Sequence, residues 1–187
     1  MPMKLFDTKI IAVSNQKGGV GKTTTARILA MALNADGGPN VKFNPNSNSS
    51  IEIANGRSID VIEIDGASNR GIDEIRSLRE QIKFPPMNSK FKVIIIDEVH
   101  MLSKQAFNAL LKTLEEPPEY LKFIFATTEI KKIPITVISR CQRFDLTRIR
   151  SSKLFNYIKK IKDKERGKIS DEALKLIVKI SEGSVRD

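Results

Sequence analysis

The sequence has 187 residues, enough for one α/β domain with a small helical addition. Its single cysteine, Cys141, excludes an internal disulfide framework and fits a reducing compartment. No apolar run reaches membrane-spanning length and the first residues lack the apolar stretch of a signal peptide, so we expect a cytoplasmic protein without membrane contact.

The charge balance is strongly basic. The formal net charge is +10 and the isoelectric point is about 9.7, which favours polyanionic partners such as nucleic acid or nucleotide phosphates. The alternative is that many of the lysines only solvate helix faces, as in the run at 159–168.

Strand and helix patterns alternate along the first 150 residues. Short β-branched runs predict strands at 9–13, 60–65, 91–97, 121–128 and 143–146. Apolar residues on a helical period predict helices at 23–34, 71–82 and 103–116. This alternation predicts an α/β fold with a mostly parallel five-stranded sheet, flanked by helices, that binds ligands at the C-terminal ends of its strands.

Two regions depart from this alternation. Residues 34–50 are rich in Asn, Ser, Gly and Pro without any period, so we expect a poorly ordered, exposed loop, extending to about residue 58. After about residue 150 the strands stop and two helical patterns follow. We therefore expect a first domain over 1–148 and a partial, incomplete helical lid over 149–187.

A glycine-rich turn between the first strand and the first helix predicts a phosphate site. Backbone N–H groups of such a turn point at phosphate oxygens, a lysine reaches the β- and γ-phosphates, and a hydroxyl ligates Mg²⁺. The residues expected to bind the nucleotide are Lys17, Gly18, Gly19, Val20, Gly21, Lys22, Thr23 and Thr24.

The turn departs from the usual phosphate-binding motif, because Gln16 stands where that motif has its first glycine. The extra Lys17 and the lead-in at 9–16 resemble the deviant loop of ParA/MinD-type partition ATPases, in which that lysine crosses a dimer interface.

A second motif, a pair of carboxylates, lies at the end of the strand at 91–97. The strand delivers Asp97 and Glu98 to its C-terminal end, where Asp97 is expected to hold Mg²⁺ with Thr23, and Glu98 to polarise the attacking water. The alternative is a carboxylate pair that caps the next helix. His100 is the only histidine, and we expect it to pack or hydrogen-bond locally.

From Thr23 onward the chain resembles the gamma/tau subunits of bacterial DNA polymerase III, AAA+ motors of the clamp loader. The stretches that carry this resemblance are "DVIEIDGASNRGIDEIRSLREQI", "KVIIIDEVHMLSKQAFNALLKTLEEPPE", "KFIFATTE", "KIPITVISRCQRFDL" and "GSVRD". The resemblance implies a P-loop ATPase of AAA+ type that uses ATP and Mg²⁺. It also implies other clamp-loader subunits, the sliding clamp and primed DNA as partners.

The resemblance also implies roles for individual residues. Thr128 matches the sensor-1 position and Arg140 the finger inserted into a neighbouring subunit's site, while Arg186 matches sensor 2. Arg70 and Lys104 are candidates for contacts with the DNA backbone, although isolated surface cations are often inert.

Two departures from that family stand out. Its members usually carry four zinc-binding cysteines, but the matching positions are Ala35, Asn44, Ser47 and Ser50, so we expect no zinc. The N-terminal lead-in is also unlike the family, which suggests a chimera or engineered junction. Two alternatives to a clamp-loader ATPase stay open: a partition-type ATPase that dimerises through Lys17, and a fragment that folds without hydrolysing ATP.

Overall fold

The structure is a computed structural model and describes residues 8–15, 21–69 and 71–185. Its centre is a five-stranded sheet in which every neighbouring pair of strands is parallel. The strands are β1 (Ile10–Ser14), β2 (Val61–Asp65), β3 (Lys92–Asp97), β4 (Leu121–Thr127) and β5 (Gln142–Asp145). They lie in the order β2-β3-β4-β1-β5, so the first strand is inserted between the fourth and the fifth. The predicted parallel five-stranded sheet is confirmed.

Seven α-helices connect or follow the strands within the described residues. They are α1 (Lys22–Leu33), α2 (Asn48–Ala54), α3 (Ile72–Ile82), α4 (Lys104–Glu115), α5 (Ile135–Ile138), α6 (Ser151–Lys164) and α7 (Asp171–Ile180). None of the helices in this part of the chain has the length and apolar character needed to cross a bilayer.

Alternate residues of the central strands face two separate halves of the core. Along β3, Ile94 and Ile96 pack with α3 and α4, whereas Val93 and Ile95 pack with α1. Strand side chains alternate between faces, so a continuous apolar run such as β3 is required wherever helices cover both sides of a sheet. The double cover makes β3 an interior strand of the sheet, and the acidic residues of the predicted site follow at its C-terminal end.

The prediction of a poorly ordered loop over 34–58 is wrong for α2. Ser47 caps this helix by accepting a hydrogen bond from the Ser50 backbone N–H, and Ile53 is buried against the α1 side of the core. Ser50 Oγ in turn donates to the Asn44 carbonyl at 2.9 Å. The serine cap, the bond to the Asn44 carbonyl and the burial of Ile53 stabilise this short helix, although the composition resembles that of a loop.

Candidate functional site

The N-terminus of α1 and the C-terminal end of β3 meet at one edge of the sheet. Gly21 precedes α1 with a φ of 80°, a left-handed conformation that glycine adopts without strain. The Thr23 hydroxyl donates a hydrogen bond to Asp97 Oδ2. Lys22 is only 8% exposed, and its Nζ lies 3.5 Å from Glu98 Oε1. The structure thus brings together the lysine, hydroxyl and carboxylate pair that the sequence pattern singled out.

Glu98 is held from several sides in a turn of unusual backbone conformation. Its φ is 44°, in the left-handed region, and its backbone N–H donates to Asp97 Oδ1 at 2.8 Å. Its Oε2 accepts from the Thr128 backbone N–H at 3.3 Å and from the Thr128 hydroxyl at 3.2 Å. Its side chain remains 32% exposed. Glu98 is therefore positioned by Thr128, the residue that follows β4, while its carboxylate still faces solvent.

Gly66 supports this turn from the end of β2, a role that sequence inspection missed. Its backbone N–H donates to the Asp97 carbonyl at 2.7 Å. A Cβ at this position would lie 2.8 Å from the Glu98 carbonyl oxygen and 3.0 Å from that of Asp97, closer than non-bonded atoms approach. The Asp97–Glu98 peptide can take its observed path only because residue 66 has no side chain.

His100 lies beneath the carboxylate and is 5% exposed. Its Nδ1 is 3.0 Å from Thr127 Oγ1 and 3.3 Å from Glu98 Oε2, and its Nε2 is 3.5 Å from Glu129 Oε1. The expected local hydrogen bonding of His100 is confirmed. Thr127 and Glu129 are additional residues of the site; both lie in the stretch 122–129 that carries the family resemblance, but the sequence predicted no role for them.

Glu129 joins the site to the short 3₁₀ turn Ile130–Lys132. The hydrogen bond from Lys132 Nζ, 2.8 Å long, holds the pKa of the Glu129 carboxyl below its usual value. Glu129 is consequently a carboxylate near neutral pH, and it faces the outer nitrogen of His100. The imidazole thus lies between two acidic side chains.

A cavity of about 550 Å³ opens beside this cluster, between the ends of β1, β4 and β5. Ser14 donates to Asp145 Oδ1, and Arg143 Nε lies 2.7 Å from the same oxygen. Hydrogen bonds from Arg143 and then from Ser14 lower the pKa of Asp145. The lining residues are Ser14, Asn15, Thr128, Ile130, Arg143, Asp145, Leu146, Thr147 and Arg148. Because Thr128 lines this cavity and also holds Glu98, a ligand in the cavity would adjoin the carboxylate pair.

Arg140 does not join this cluster. It follows α5, is partly exposed, and donates to the Thr136 carbonyl. Its Nη2 is 3.3 Å from Glu115 Oε1 at the end of α4. The side chain thus sits at the surface in a single ion pair, which by itself contributes little stability.

Of the remaining predicted residues, two are exposed and the others are not described by the structure. Thr24 and Lys104 are exposed near the starts of α1 and α4. The predicted roles of Lys17, Gly18, Gly19, Val20, Arg70 and Arg186 fall on residues outside the described ranges.

Thr23 and Asp97 fit a divalent cation. Among the described residues no group of three His, Cys, Asp or Glu side chains is arranged to hold a metal ion by itself. Thr23 and Asp97 instead offer one hydroxyl and one carboxylate, the hard oxygen ligands that Mg²⁺ takes when substrate phosphates and water complete its shell. The donor set therefore suits Mg²⁺ delivered with a nucleotide.

Comparison with known sequences gives a consistent family. Residues 11–150 match the family model described as "DNA polymerase III, delta subunit". The chain is 51% identical over 169 residues to the tau subunit of Bacillus subtilis DNA polymerase III, covering 90% of this chain and 30% of that protein. It is 48% identical to the gamma subunit of Buchnera aphidicola from Acyrthosiphon pisum, covering 90% and 47%. The chain thus spans less than half the length of these relatives.

Solved structures show the same fold at low identity. A gamma-subunit-related protein of Thermotoga maritima superposes with a TM-score of 0.61 at 24% identity, over 81% of this chain and 45% of that one. The Holliday junction branch migration motor RuvB of Thermotoga maritima gives a TM-score of 0.63 at 20% identity, over 94% and 50%. The predicted α/β P-loop fold of AAA+ type is confirmed.

Proposed function

Because the chain belongs to the DNA polymerase III subunit family matched over residues 11–150, with gamma and tau subunits as relatives, we propose that it is an ATP-hydrolysing clamp-loader module. In this function ATP turnover is coupled to loading a sliding clamp onto primed DNA. The observation that carries the proposal is the convergence of Lys22, Thr23, Asp97 and Glu98 where α1 meets β3. The family is of ATPase type, and the comparisons do not favour a partition ATPase.

Thr23 and Asp97 are the residues we assign to Mg²⁺. The ion, when bound, supplies positive charge to the β- and γ-phosphates and so stabilises the charge that develops during phosphoryl transfer. The Thr23–Asp97 hydrogen bond keeps both oxygens at the same place before any ligand arrives. This preorganisation lowers the cost of assembling the site.

Lys22 and Glu98 have two different roles, phosphate binding and activation of the attacking water. Lys22 is placed to bind the phosphates, and in the structure its ammonium faces Glu98 across 3.5 Å. A polyphosphate carries more negative charge than one carboxylate, so phosphate binding would draw Lys22 away from Glu98. Glu98 would then orient and polarise the attacking water, while the Thr128 hydroxyl fixes the carboxylate.

Arg140 is assigned to a neighbouring subunit's site. An arginine in trans stabilises transition-state charge and is worth roughly 10³–10⁵ in rate. Arg140 is accessible, and a subunit that recruits it must first break its pair with Glu115.

We further propose roles for the other predicted residues. Arg186 would contact the nucleotide from the helical lid at 149–187, and Lys17–Thr24 would form the phosphate-binding segment. Arg70 and Lys104 would contact the DNA backbone. A cytoplasmic location accords with a role in replication.

Steady-state ATP hydrolysis, measured for the chain alone and with clamp-loader subunits, clamp and primed DNA, tests the proposal. We expect slow turnover alone and a large increase on assembly, since a lone chain has no neighbour to supply an arginine. Calorimetric titration with ATP and Mg²⁺ that gave no heat of binding would refute the proposal and indicate a non-enzymatic fragment. ATP-dependent dimers abolished by Lys17→Ala, together with an inert Arg140→Ala, would instead indicate a partition-type ATPase.

A further inference from the structure

The positive charge of the chain is concentrated around α6. Residues 147–168 contain nine lysines and arginines against only two carboxylates, Asp163 and Glu165. The segment therefore holds seven of the ten net positive charges of the whole chain, in little more than a tenth of its length.

The cations of α6 fall into two groups. Lys159 and Lys162 face α7, where their Nζ atoms lie 3.1 Å and 3.8 Å from the two oxygens of Asp171. The hydrogen bond from Lys159 lowers the pKa of Asp171, which accordingly stays ionised at neutral pH. Both lysines pair with the one carboxylate of Asp171, so these three groups together keep one positive charge and link α6 to α7.

The second group forms a surface that we call the basic stripe: Lys153, Tyr157, Lys160 and Lys164. Successive spacings of four, three and four residues place these side chains on one face of the helix. All four are exposed, and the Tyr157 ring is 52% accessible. None of the three lysines forms an ion pair with any residue that the structure describes, in contrast to Lys159 and Lys162.

A groove of about 620 Å³ lies at the start of the stripe. It is lined by Thr147, Arg148, Ile149, Arg150, Lys153 and Tyr157. Arg148 is paired with Glu182 at 2.9 Å, but Arg150 has no acidic partner within the described residues. Cationic groups thus flank the exposed Tyr157 ring on both sides along the helix axis.

We propose that the basic stripe binds single-stranded nucleic acid, with the lysines on phosphates and Tyr157 stacked on a base. The stripe extends over twelve residues, whose eleven steps of 1.5 Å give about 16 Å, the length of several nucleotides. Unpaired cations that flank an accessible aromatic ring are the combination that binds single strands without reading sequence. The groups involved are separate from Lys22 and Glu98, so the inference does not depend on ATP hydrolysis.

The charge and shape of the stripe favour nucleic acid over an anionic membrane. An interfacial helix buries a broad apolar face in the lipid, but Leu154 of α6 is 2% exposed and packed within the protein. Ile161, at the edge of this face, is 43% exposed, but one aliphatic side chain is not the broad apolar face that an interfacial helix needs. The exposed face of the stripe otherwise carries one aromatic ring among cations. A polyphosphate with planar bases matches both features, whereas a lipid surface would use only the charge.

Fluorescence anisotropy of a fluorescein-labelled 20-nucleotide oligothymidylate, titrated with the 187-residue chain at several salt concentrations, tests the proposal without nucleotide. We expect the triple variant Lys153→Gln, Lys160→Gln, Lys164→Gln to bind at least tenfold more weakly. Its salt slope should fall by about 2, since each phosphate contact on a single strand contributes about 0.7. Tyr157→Leu should weaken binding about tenfold, and Tyr157→Phe should keep it, because stacking needs only the ring.

The matched control is Lys42→Gln, Lys112→Gln, Lys131→Gln, which removes the same charge from exposed positions away from α6. An equal loss in this control would show that net charge alone drives binding, and would overturn the proposal. So would undiminished oligonucleotide binding in the stripe variant, loss caused only by Lys104→Gln, or stripe-dependent binding to phosphatidylserine vesicles without oligonucleotide binding. Circular dichroism melts of each variant verify that the fold is intact.

Discussion

Lys22 and Glu98 form an ion pair across the junction of α1 and β3, with Nζ 3.5 Å from Oε1. The lysine is almost fully buried, whereas a third of the glutamate side chain is accessible. Under the proposed function this pair holds each group near its working position until phosphate replaces the carboxylate as the partner of Lys22.

Glu98→Gln should leave ATP binding intact and slow hydrolysis about 10²–10⁴-fold. The amide keeps the shape of the side chain but cannot accept a proton from water. Fluorescent-nucleotide titration and single-turnover hydrolysis separate the two effects. Glu119→Gln, at an exposed position outside the site, is the control and should change neither quantity. Equal turnover in Glu98→Gln and the unmodified chain would remove Glu98 from the mechanism.

Thr128→Val should lower turnover about tenfold with little change in ATP affinity. The valine keeps the backbone N–H bond to Glu98 but loses the hydroxyl bond of 3.2 Å. A hydrogen bond between neutral groups is worth about 1 kcal/mol, which corresponds to less than a tenfold change in rate. The acceptor here is a carboxylate, and a hydrogen bond to a charged group is stronger, so the loss in rate should approach tenfold. Thr128→Ser should restore activity. If serine and valine behave alike, the hydroxyl has no positioning role.

Arg140→Ala should leave the slow ATPase rate of the isolated chain unchanged and reduce that of an assembled complex by roughly 10³-fold or more. The reason is that Arg140 lies outside the chain's own Lys22–Glu98 cluster and pairs with Glu115. Steady-state assays with and without partner subunits measure both rates. Glu115→Gln frees the arginine and should not impair the assembled rate. An assembled rate insensitive to Arg140→Ala would contradict a role in trans.

Gly66→Ala should destabilise the protein by about 1–3 kcal/mol, the usual cost of forcing an extra methyl group into packed surroundings. The new Cβ would meet the Glu98 carbonyl oxygen at 2.8 Å and that of Asp97 at 3.0 Å, so the backbone on both sides of Glu98 must shift. Denaturant unfolding measures the stability, and turnover should fall with it. In the control Gly167→Ala the nearest atom lies 3.6 Å away and we expect no turnover defect. Normal stability and turnover in Gly66→Ala would show that the contact is easily relieved.

Cys141 should react slowly with iodoacetamide in the folded protein. Burial raises the pKa of its thiol from 9.0 to about 12, so at pH 8 the reactive thiolate is about a thousandfold rarer than in the unfolded chain. Mass spectrometry of alkylation with and without guanidinium measures the ratio. By linkage, the raised pKa contributes stability that is present below about pH 9 and is lost as the pH rises toward 12. Equal alkylation rates would show that the thiol is accessible.

The sequence by itself determined the elements and the chemistry of the motif. Alternating β-branched runs and amphipathic segments specify strands and helices locally, and the predicted strands agree with the observed ones to within one residue at each end. A lysine and a threonine after a glycine turn, and two carboxylates after a buried strand, are also local patterns. The prediction failed at α2, where a capping serine and a buried isoleucine form a helix within a composition typical of loops.

Only the tertiary structure decided which residues surround Glu98. The strand order places β3 between β2 and β4, and this brings Thr128, thirty residues away, onto the glutamate and Gly66 against its peptide. Such contacts depend on the order and register of the strands. Both are set when the two helical layers pack on the sheet, and neither can be predicted from the periodicity of hydrophobic residues along the sequence. The same holds for α6, where the sequence shows a run of lysines, but the position of Asp171 on α7 determines which of them have an acidic partner.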